Sequence, residues 1–239
     1  MTASYDDVLC EQISYYRARA AEYDEWFLRQ GRYDRGSEEN ARWHAEAAQV
    51  ATALDGFLAP VSAQGRAALE LAAGTGLWTQ RLAGHFAEVT AVDASPETLV
   101  INRDRLGAAA DRVTYQVADL FTWRPTRRYD VVFFSFWLSH VPPERFDAFW
   151  KLVRACLAPE GRAIFVDSRY SQQSTAVDHT LEGEQAITMT RRLNDGREYR
   201  IVKIYYQPEE LARRLGSSGW EAHVSATPTF FLYGHASAV

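Results

Sequence analysis

The sequence predicts an α/β fold with a doubly wound parallel sheet, formed by residues 61–239, and an N-terminal helical cap at residues 1–60. Three observations support this prediction. Short apolar runs, typical of strands buried on both faces, alternate from residue 67 onward with stretches of helical periodicity. A turn of small residues follows the first run directly. Acidic residues lie at the ends of three consecutive runs, the edge where open α/β sheets bind ligands.

Composition narrows the class of protein. The chain has 239 residues, 47% of them hydrophobic, which is enough for a substantial core. A net charge of −5 without a long basic run disfavours a nucleic-acid partner. No apolar run approaches the roughly 20 residues of a membrane span, and the N-terminus has no signal-peptide pattern. The oligomeric state is left open.

The chain's two cysteines, Cys10 and Cys156, are far apart and lie in helical patterns, as in a reduced cytoplasmic protein. No cluster of metal ligands is evident. We therefore expect a cytoplasmic protein without a metal, a nucleic acid or a membrane as partner.

The first 60 residues have helical patterns. Helical spacing runs from Val8 to Tyr23, a break follows near residues 31–36, and a second helix is predicted to begin at Ser37 and end at Pro60. Helices placed ahead of the first strand can cover a bound cofactor.

Residues 67–93 form the first predicted strand–turn–helix–strand unit. The first strand contains Glu70, the turn runs from Ala72 to Gly76, and the second strand ends at Asp93, nineteen residues after Gly74. In nucleotide-binding units an acid at about this spacing holds ribose hydroxyls. An acid so close to the turn disfavours a pyrophosphate there, and with it a nicotinamide dinucleotide.

The rest of the chain continues the alternation of strands and helices. Ser95 and Pro96 are predicted to begin a helix as its cap and first residue, and Asp119 follows the third strand. The predicted strands are 113–117, 130–135, 161–167, 220–226 and 229–234, and the predicted helices are 96–106, 143–157 and 208–215.

A β-hairpin is predicted at residues 187–206, and its register has two solutions. A two-residue Asp195–Gly196 turn would place Arg191 and Lys203 on opposite faces. A three-residue turn beginning at Asn194 would place Arg191, Tyr199 and Lys203 on one face.

The pattern Glu70-x-Ala72-x-Gly74-x-Gly76 resembles motif I of class I S-adenosylmethionine (SAM) methyltransferases, with Ala72 in place of the usual glycine. Residues 15–24 resemble the Y-Y-x-x-R-A-x-x-Y-D stretch of small-molecule methyltransferases. The resemblance implies a Rossmann-like, seven-stranded methyltransferase sheet with a hairpin insertion after strand 5, and SAM as cofactor. The cofactor-binding residues that it implies are Tyr15, Arg19, Tyr23, Glu70, Ala72, Gly74, Trp78, Asp93, Asp119, Leu120 and Ser135.

His140 is the candidate catalytic residue, because it follows the fourth strand where this family places residues facing the transferred methyl group. Three roles are open. His140 could be a general base, a hydrogen-bond donor that orients an anionic nucleophile, or a structural residue that holds the next loop. No Asn-Pro-Pro-Tyr or Pro-Cys motif follows the strand, which favours a small-molecule substrate over an amide nitrogen or cytosine.

Further stretches, among them 140–142 and 200–203, resemble the phosphonate O-methyltransferases of the dehydrophos type over most of the chain. This resemblance implies a pocket for a small anionic substrate lined by His140, Arg191 and Lys203, and it favours the three-residue turn. Tyr16 and Tyr33 are further candidates for substrate binding; Tyr33 lies between Trp26 and Ser37, where this chain is longer than the family and should border the substrate. We expect SAM-dependent methyl transfer to an oxygen of a phosphonate or carboxylate. The alternative is a non-catalytic SAM- or nucleotide-binding module.

Overall fold

The computed structural model describes residues 5–62, 67–179 and 181–239. The strands are β1 (Ala67–Leu71), β2 (Glu88–Asp93), β3 (Val113–Val117), β4 (Tyr129–Ser135), β5 (Leu157–Ser168), β6 (Thr188–Arg192), β7 (Glu198–Val202), β8 (Trp220–Ala226) and β9 (Phe231–Ala238). The helices are α1 (Tyr5–Arg19), α2 (Tyr23–Leu28), α3 (Ser37–Ser62), α4 (Thr79–His85), α5 (Pro96–Leu106), α6 (Phe146–Cys156) and α7 (Pro208–Ser217).

Seven strands form one sheet in the order β3-β2-β1-β4-β5-β9-β8. Strands β1 to β5 are parallel, whereas β9 pairs antiparallel with both β5 and β8. This topology confirms the predicted seven-stranded Rossmann-like sheet. The chain order reverses between β1 and β4, so the carboxyl ends of these strands border the crevice in which such sheets bind ligands.

The apolar runs read from the sequence are the buried strands. All five residues of β1 are buried, and side chains of β4 alternate between the two faces of the sheet. On one face Phe134 packs with Trp150 of α6; on the other, Phe133 packs with Leu54 of α3. Ser95 accepts a hydrogen bond from the N–H of Thr98, as expected of the cap of α5.

The N-terminal half of the prediction needs one correction. Helix α3 does not end at Pro60 but continues to Ser62. A proline removes only one intrahelical hydrogen bond, and in the last turn the loss is small. The predicted domain boundary at residue 60 thus falls inside α3.

Among the described residues, no helix combines the length and the apolar character that a membrane crossing requires.

The hairpin β6–β7 adopts the three-residue turn. Thr190 pairs with Arg200 and Arg191 pairs with Tyr199, while Gly196 takes a left-handed φ of 90°. The two-residue alternative is therefore wrong. Helix α1 packs along β7, and Tyr15 is buried between the two with Met189, Leu193 and Ile201.

Candidate active site

The turn after β1 is a left-handed stretch that lets the backbone approach a ligand closely. Ala72, Gly74 and Gly76 all have positive φ angles, of 54°, 55° and 91°. A Cβ atom on Gly76 would lie 2.8 Å from the side chain of Asn102. Ala72 thus adopts the conformation that glycine usually supplies, at a cost of roughly 1–2 kcal/mol.

Three acids lie near the carboxyl ends of β1, β2 and β3, and two of them face an open space. Asp93 accepts hydrogen bonds from the N–H groups of Gly74 (2.9 Å) and Ser95 (2.8 Å), which join the turn to the start of α5. Burial raises the pKa of Asp93, and these donors oppose the rise. Asp119 accepts a hydrogen bond from the N–H of Phe121 at 3.0 Å.

Glu70 lies beneath the turn, and its carboxylate does not reach the open space beside the turn. Its carboxylate accepts a hydrogen bond of 2.5 Å from the Thr79 hydroxyl, and burial, with a contribution from Asp93, raises its pKa to about 8. Thr79 also accepts from the side-chain amide of Asn102, which donates to the carbonyl of Gly74 as well. Glu70 and Asn102 therefore fix the shape of the turn from inside the protein.

We call the open space beside the turn the strand-end cleft; its empty volume is about 750 Å³, adjoining solvent included. Helix α1 contributes Leu9, Gln12 and Ile13 to the opposite wall. The sequence-predicted cofactor residues that line this cleft are Tyr23, Ala72, Gly74, Asp93, Asp119, Leu120 and Ser135.

A second space, the hairpin cleft, lies under β6 and β7 and has an empty volume of about 500 Å³. It meets the strand-end cleft at Tyr16, Tyr23, Phe136 and His140, which line both. All five residues predicted for substrate binding and catalysis line the hairpin cleft: Tyr16, Tyr33, His140, Arg191 and Lys203.

Three cations face the hairpin cleft. Arg19 is buried, with its guanidinium 4.9 Å from the ring centre of Tyr23 and a hydrogen bond to the Tyr33 hydroxyl. Arg191 donates to the Thr175 hydroxyl at 2.6 Å. Lys203 completes the set, so this cleft favours anions.

Lys203 is 5% exposed and is held by groups from β5 and the loop after β4. Its ammonium donates to the hydroxyls of Ser139 (2.7 Å) and Ser168 (3.3 Å), and the Asp167 carboxylate lies 3.5 Å away. Burial lowers the pKa of Lys203 to about 8, although Asp167 opposes the shift.

Sequence reasoning missed Asp167 as the partner of Lys203. The sequence pattern could have indicated this role, because Asp167 follows an apolar run in the same way as Asp93 ends β2. It missed Gln12 as well, which is 2% exposed. Gln12 accepts a hydrogen bond from the N–H of Val202 and donates to the carbonyl of His140. Helical spacing places Gln12 on the same face as Val8 and Tyr15, but no motif indicates that its amide binds the backbone of two distant residues.

Besides Glu70, three more of the predicted cofactor residues lie outside the strand-end cleft. Arg19 lines the hairpin cleft rather than the strand-end cleft. Tyr15 is buried under the hairpin, and Trp78 is packed between Phe27 and Phe133. Within the segment from Trp26 to Arg35, Trp26 and Tyr33 line the hairpin cleft, and Trp26 donates to the carbonyl of Ser174 at 2.7 Å.

His140 has both ring nitrogens in hydrogen bonds. Nδ1 lies 2.6 Å from the carbonyl oxygen of Val202, and Nε2 lies 2.8 Å from the Tyr16 hydroxyl. Burial and the nearby charge of Lys203 lower the pKa of His140 well below 6.5, and the bond to Val202 only partly opposes this.

Comparison with known proteins gives the family. A model described as "Methyltransferase domain" matches residues 68–161. The structure of DhpI, the dehydrophos phosphonate methyltransferase, bound to SAH is 37% identical, with a TM-score of 0.77, and the match covers 99% of this chain and 98% of that one. The chain belongs to the class I SAM-dependent methyltransferases. Its cofactor is SAM.

Two further solved structures extend the comparison. A DhpI–SAM–HEP complex is 38% identical over 99% of this chain and 100% of that one, with a TM-score of 0.78. The 1,6-didemethyltoxoflavin-N1-methyltransferase of Burkholderia thailandensis is 18% identical over 100% of this chain and 92% of that one, with a TM-score of 0.60, and it shares the fold. Comparison with curated protein sequences returned no match.

Proposed function

We propose that this methyltransferase transfers the methyl group of SAM to an oxygen of a small anionic metabolite of the phosphonate or carboxylate type. The observation that carries the proposal is the junction of the two clefts. A cleft with three cations opens directly onto the cleft beside the left-handed turn. An anionic oxygen held by the cations would therefore lie next to the methyl donor.

The strand-end cleft fits SAM by the chemistry of its lining. Asp93 and Asp119 present carboxylate oxygens at neighbouring strand ends, suited to ribose hydroxyls and to the amino group of adenine. Leu120 and Phe121 offer an apolar surface for a base. Ala72 and Gly74 leave room beside the turn. When bound, SAM supplies an electrophilic methyl group on a sulfonium.

The hairpin cleft supports an anionic acceptor over an amine. Among the described residues that line it, every charged side chain is a cation: Arg19, Arg191 and Lys203. Guanidinium groups and ammonium groups recognise phosphonate and carboxylate oxygens through short, charge-assisted hydrogen bonds. The three cations repel an ammonium substrate, and the nearby Asp167 carboxylate is paired with Lys203, so oxygen is the favoured nucleophile.

The acceptor oxygen needs no strong base if it arrives ionised. Phosphonates and carboxylates carry that charge at neutral pH, so the cleft's task is to bind, orient and desolvate. Arg191 and Lys203 would hold oxygens other than the one attacked, and Tyr33 and Trp26 would close the outer side.

The experiment is a calorimetric titration with SAH, followed by titration of the SAH complex with methylphosphonate, acetate and ethylamine. We expect SAH to bind, the two anions to bind the complex, and the amine not to bind. Lys203→Met should abolish anion binding and keep SAH binding. Lys151→Met is the matched control, because Lys151 is the only other lysine of the chain and is exposed on α6.

Two results would overturn the proposal. One is binding of ethylamine in preference to either anion. The other is full anion binding by Lys203→Met. Turnover is then measured by mass spectrometry of the methyl ester, and methylation of an amine nitrogen alone would likewise contradict an O-methyltransferase.

A further inference from the structure

The protonation of His140 follows from its hydrogen-bond partners. A carbonyl oxygen can only accept, so the 2.6 Å contact between Nδ1 and the Val202 carbonyl places a proton on Nδ1. A neutral imidazole then has no proton on Nε2. The Tyr16 hydroxyl, 2.8 Å from Nε2, must therefore be the donor in that bond.

The surroundings of His140 disfavour the doubly protonated form. The ring is 5% exposed, and the cations near it are Lys203, Arg191 and Arg19, on the hairpin and α1. Tyr16 also faces it, with its ring edge-on to the imidazole and the ring centres 5.4 Å apart. The Asp167 carboxylate lies nearby as well, because it accepts a hydrogen bond from the N–H of Ser139, but it is paired with Lys203. Burial and the three cations together oppose the formation of an imidazolium.

Tyr16 lies where the two clefts meet, and a phenol has a single proton to donate. That proton is engaged by His140. The oxygen of Tyr16 therefore presents only acceptor lone pairs to the clefts.

We propose that His140 is a positioning residue, which takes the hydroxyl proton of Tyr16 so that Tyr16 can accept but not donate a hydrogen bond at the junction of the clefts. This inference rests on the proposed function. A donor at the junction would stabilise the lone pairs of an oxyanion and weaken it as a nucleophile. An acceptor leaves the oxyanion unblocked and can receive weak C–H hydrogen bonds from an electron-poor methyl group.

Further hydrogen bonds hold His140 and Val202 in place. Gln12 accepts a hydrogen bond from the N–H of Val202 and donates one to the carbonyl of His140, so the backbones of these two residues are held by the same side chain. The N–H of His140 donates to the carbonyl of Trp137 at 2.8 Å. His140 cannot turn its ring without breaking the bond to Val202.

The first test reads the tautomer without turnover. The protein is labelled with ¹⁵N-histidine, and the imidazole resonances are recorded with SAH and without it between about pH 6 and about pH 8. We expect Nδ1 protonated and Nε2 unprotonated throughout, and a shift of the Nε2 resonance in Tyr16→Phe, which also assigns it among the six histidines. A protonated Nε2, or an imidazolium in this range, would overturn the proposal.

The second test is a double-mutant cycle of Tyr16→Phe and His140→Asn. An asparagine amide can replace the Nδ1–H donor to Val202 and has no group at the position of Nε2. Each single variant should lower kcat about tenfold, with the KM of the anionic substrate changed less than about twofold. If His140 acts through Tyr16, the double variant should be no worse than about twofold below Tyr16→Phe.

The outcomes separate the alternatives. Multiplied losses in the double variant, with a changed pH profile, would make His140 a base in its own right and overturn the proposal. A change in KM or melting temperature with kcat intact would make it merely structural. Tyr206→Phe is the matched control, since Tyr206 is buried away from both clefts. Absence of turnover with every oxyanion would defeat the proposed function, while the tautomer measurement would still stand or fall alone.

Discussion

At the residue scale, the two lysines of the chain have opposite surroundings, and this gives a pH prediction. Lys203 is buried with a pKa of about 8, far below its unfolded value, whereas Lys151 is exposed. As the pH rises through 8, Lys203 loses its charge. The KM for the anionic substrate should then rise by up to about tenfold per pH unit, with little change in kcat. Steady-state kinetics from about pH 7 to about pH 9 measure this.

A rise in pH has the opposite effect on stability: substrate binding weakens, whereas the folded state becomes more stable. Because the folded pKa of Lys203 is depressed, the unfolded chain binds more protons above pH 8, and the free energy of unfolding gains a contribution there. Lys203→Met should remove both effects, and Lys151→Met should keep both. A KM that stays flat across this range in the parent protein would contradict the role of Lys203.

Gly76 gives a second prediction at this scale. Its φ is 91°, and an added Cβ would lie 2.8 Å from the side chain of Asn102 and 3.0 Å from its Cα. Gly76→Ala should lower the free energy of unfolding by at least about 2 kcal/mol, because strain and a backbone clash add. Urea denaturation measures the change. Gly84→Ala, inside α4 with open space at Cβ, should instead stabilise by about 0.5–1 kcal/mol; equal effects would refute the argument.

Asp93 and Glu70 show what a sequence motif can and cannot predict about a single side chain. The spacing of Asp93 after Gly74 predicted their proximity, and the structure joins them by a hydrogen bond of 2.9 Å. The same motif assigned Glu70 to the cofactor, whereas its carboxylate turns inward to Thr79. A motif gives the strand and the position along it. The face on which a side chain lies depends on neighbours such as Asn102, which are distant in sequence.

At the element scale, α1 and the hairpin are joined through Gln12, and a third prediction follows. Gln12→Met would leave the N–H of Val202 and the carbonyl of His140 without their buried partners. Each unsatisfied group costs about 1–3 kcal/mol, so stability should fall and the hairpin should loosen over the anion site. We expect a higher KM for the substrate and faster amide exchange in β6 and β7.

Glu11→Gln is the control for that experiment. Glu11 forms an ion pair with Arg200 in which both side chains are partly exposed, so its loss should cost less than about 1 kcal/mol. If Gln12→Met changed the KM and amide exchange no more than Glu11→Gln does, the joint between α1 and the hairpin would not depend on Gln12.

The hairpin shows why elements are easier to predict than their pairing. Turn residues and alternation located both strands, but Asn194, Asp195 and Gly196 suit two- and three-residue turns alike. Tertiary contacts determine which of the two turns forms. The three-residue register allows Tyr15 of α1 to pack against Met189 and Ile201. Such contacts lie far apart in sequence, so local patterns do not contain them.

At the scale of the whole molecule, the parallel sheet was predictable because its central strands, β1 and β4, are buried and mostly apolar runs. Composition did not predict the charge distribution, although the resemblance placed Arg191 and Lys203 in one pocket and assigned Arg19 to the cofactor. The chain carries a net charge of −5, yet three cations converge on one cleft. They come from α1, β6 and the residue after β7, which the fold alone brings together. Composition therefore misjudges the sign of the charge that a ligand meets.

The position of α1 over the strand-end cleft predicts which part of the molecule a bound ligand stabilises most. Leu9, Gln12 and Ile13 of α1 form a wall of the strand-end cleft, so a ligand there contacts both the sheet and α1. Toward α5 and α6, α1 is held by the ion pairs Arg17–Glu97 and Asp6–Arg145, which are partly exposed and weak. Bound SAH should therefore slow amide exchange in α1 more than elsewhere.

Hydrogen exchange followed by mass spectrometry tests this, with α7 as the internal control, since it packs on the far face of the sheet near Trp150 and lines neither cleft. Saturating SAH should slow exchange at least about tenfold in peptides from α1, and addition of the anion should extend the protection to β6 and β7. Equal slowing in α1 and α7 would show global stabilisation only. In that case α1 would not contact the ligand, and the strand-end cleft would be closed by another element.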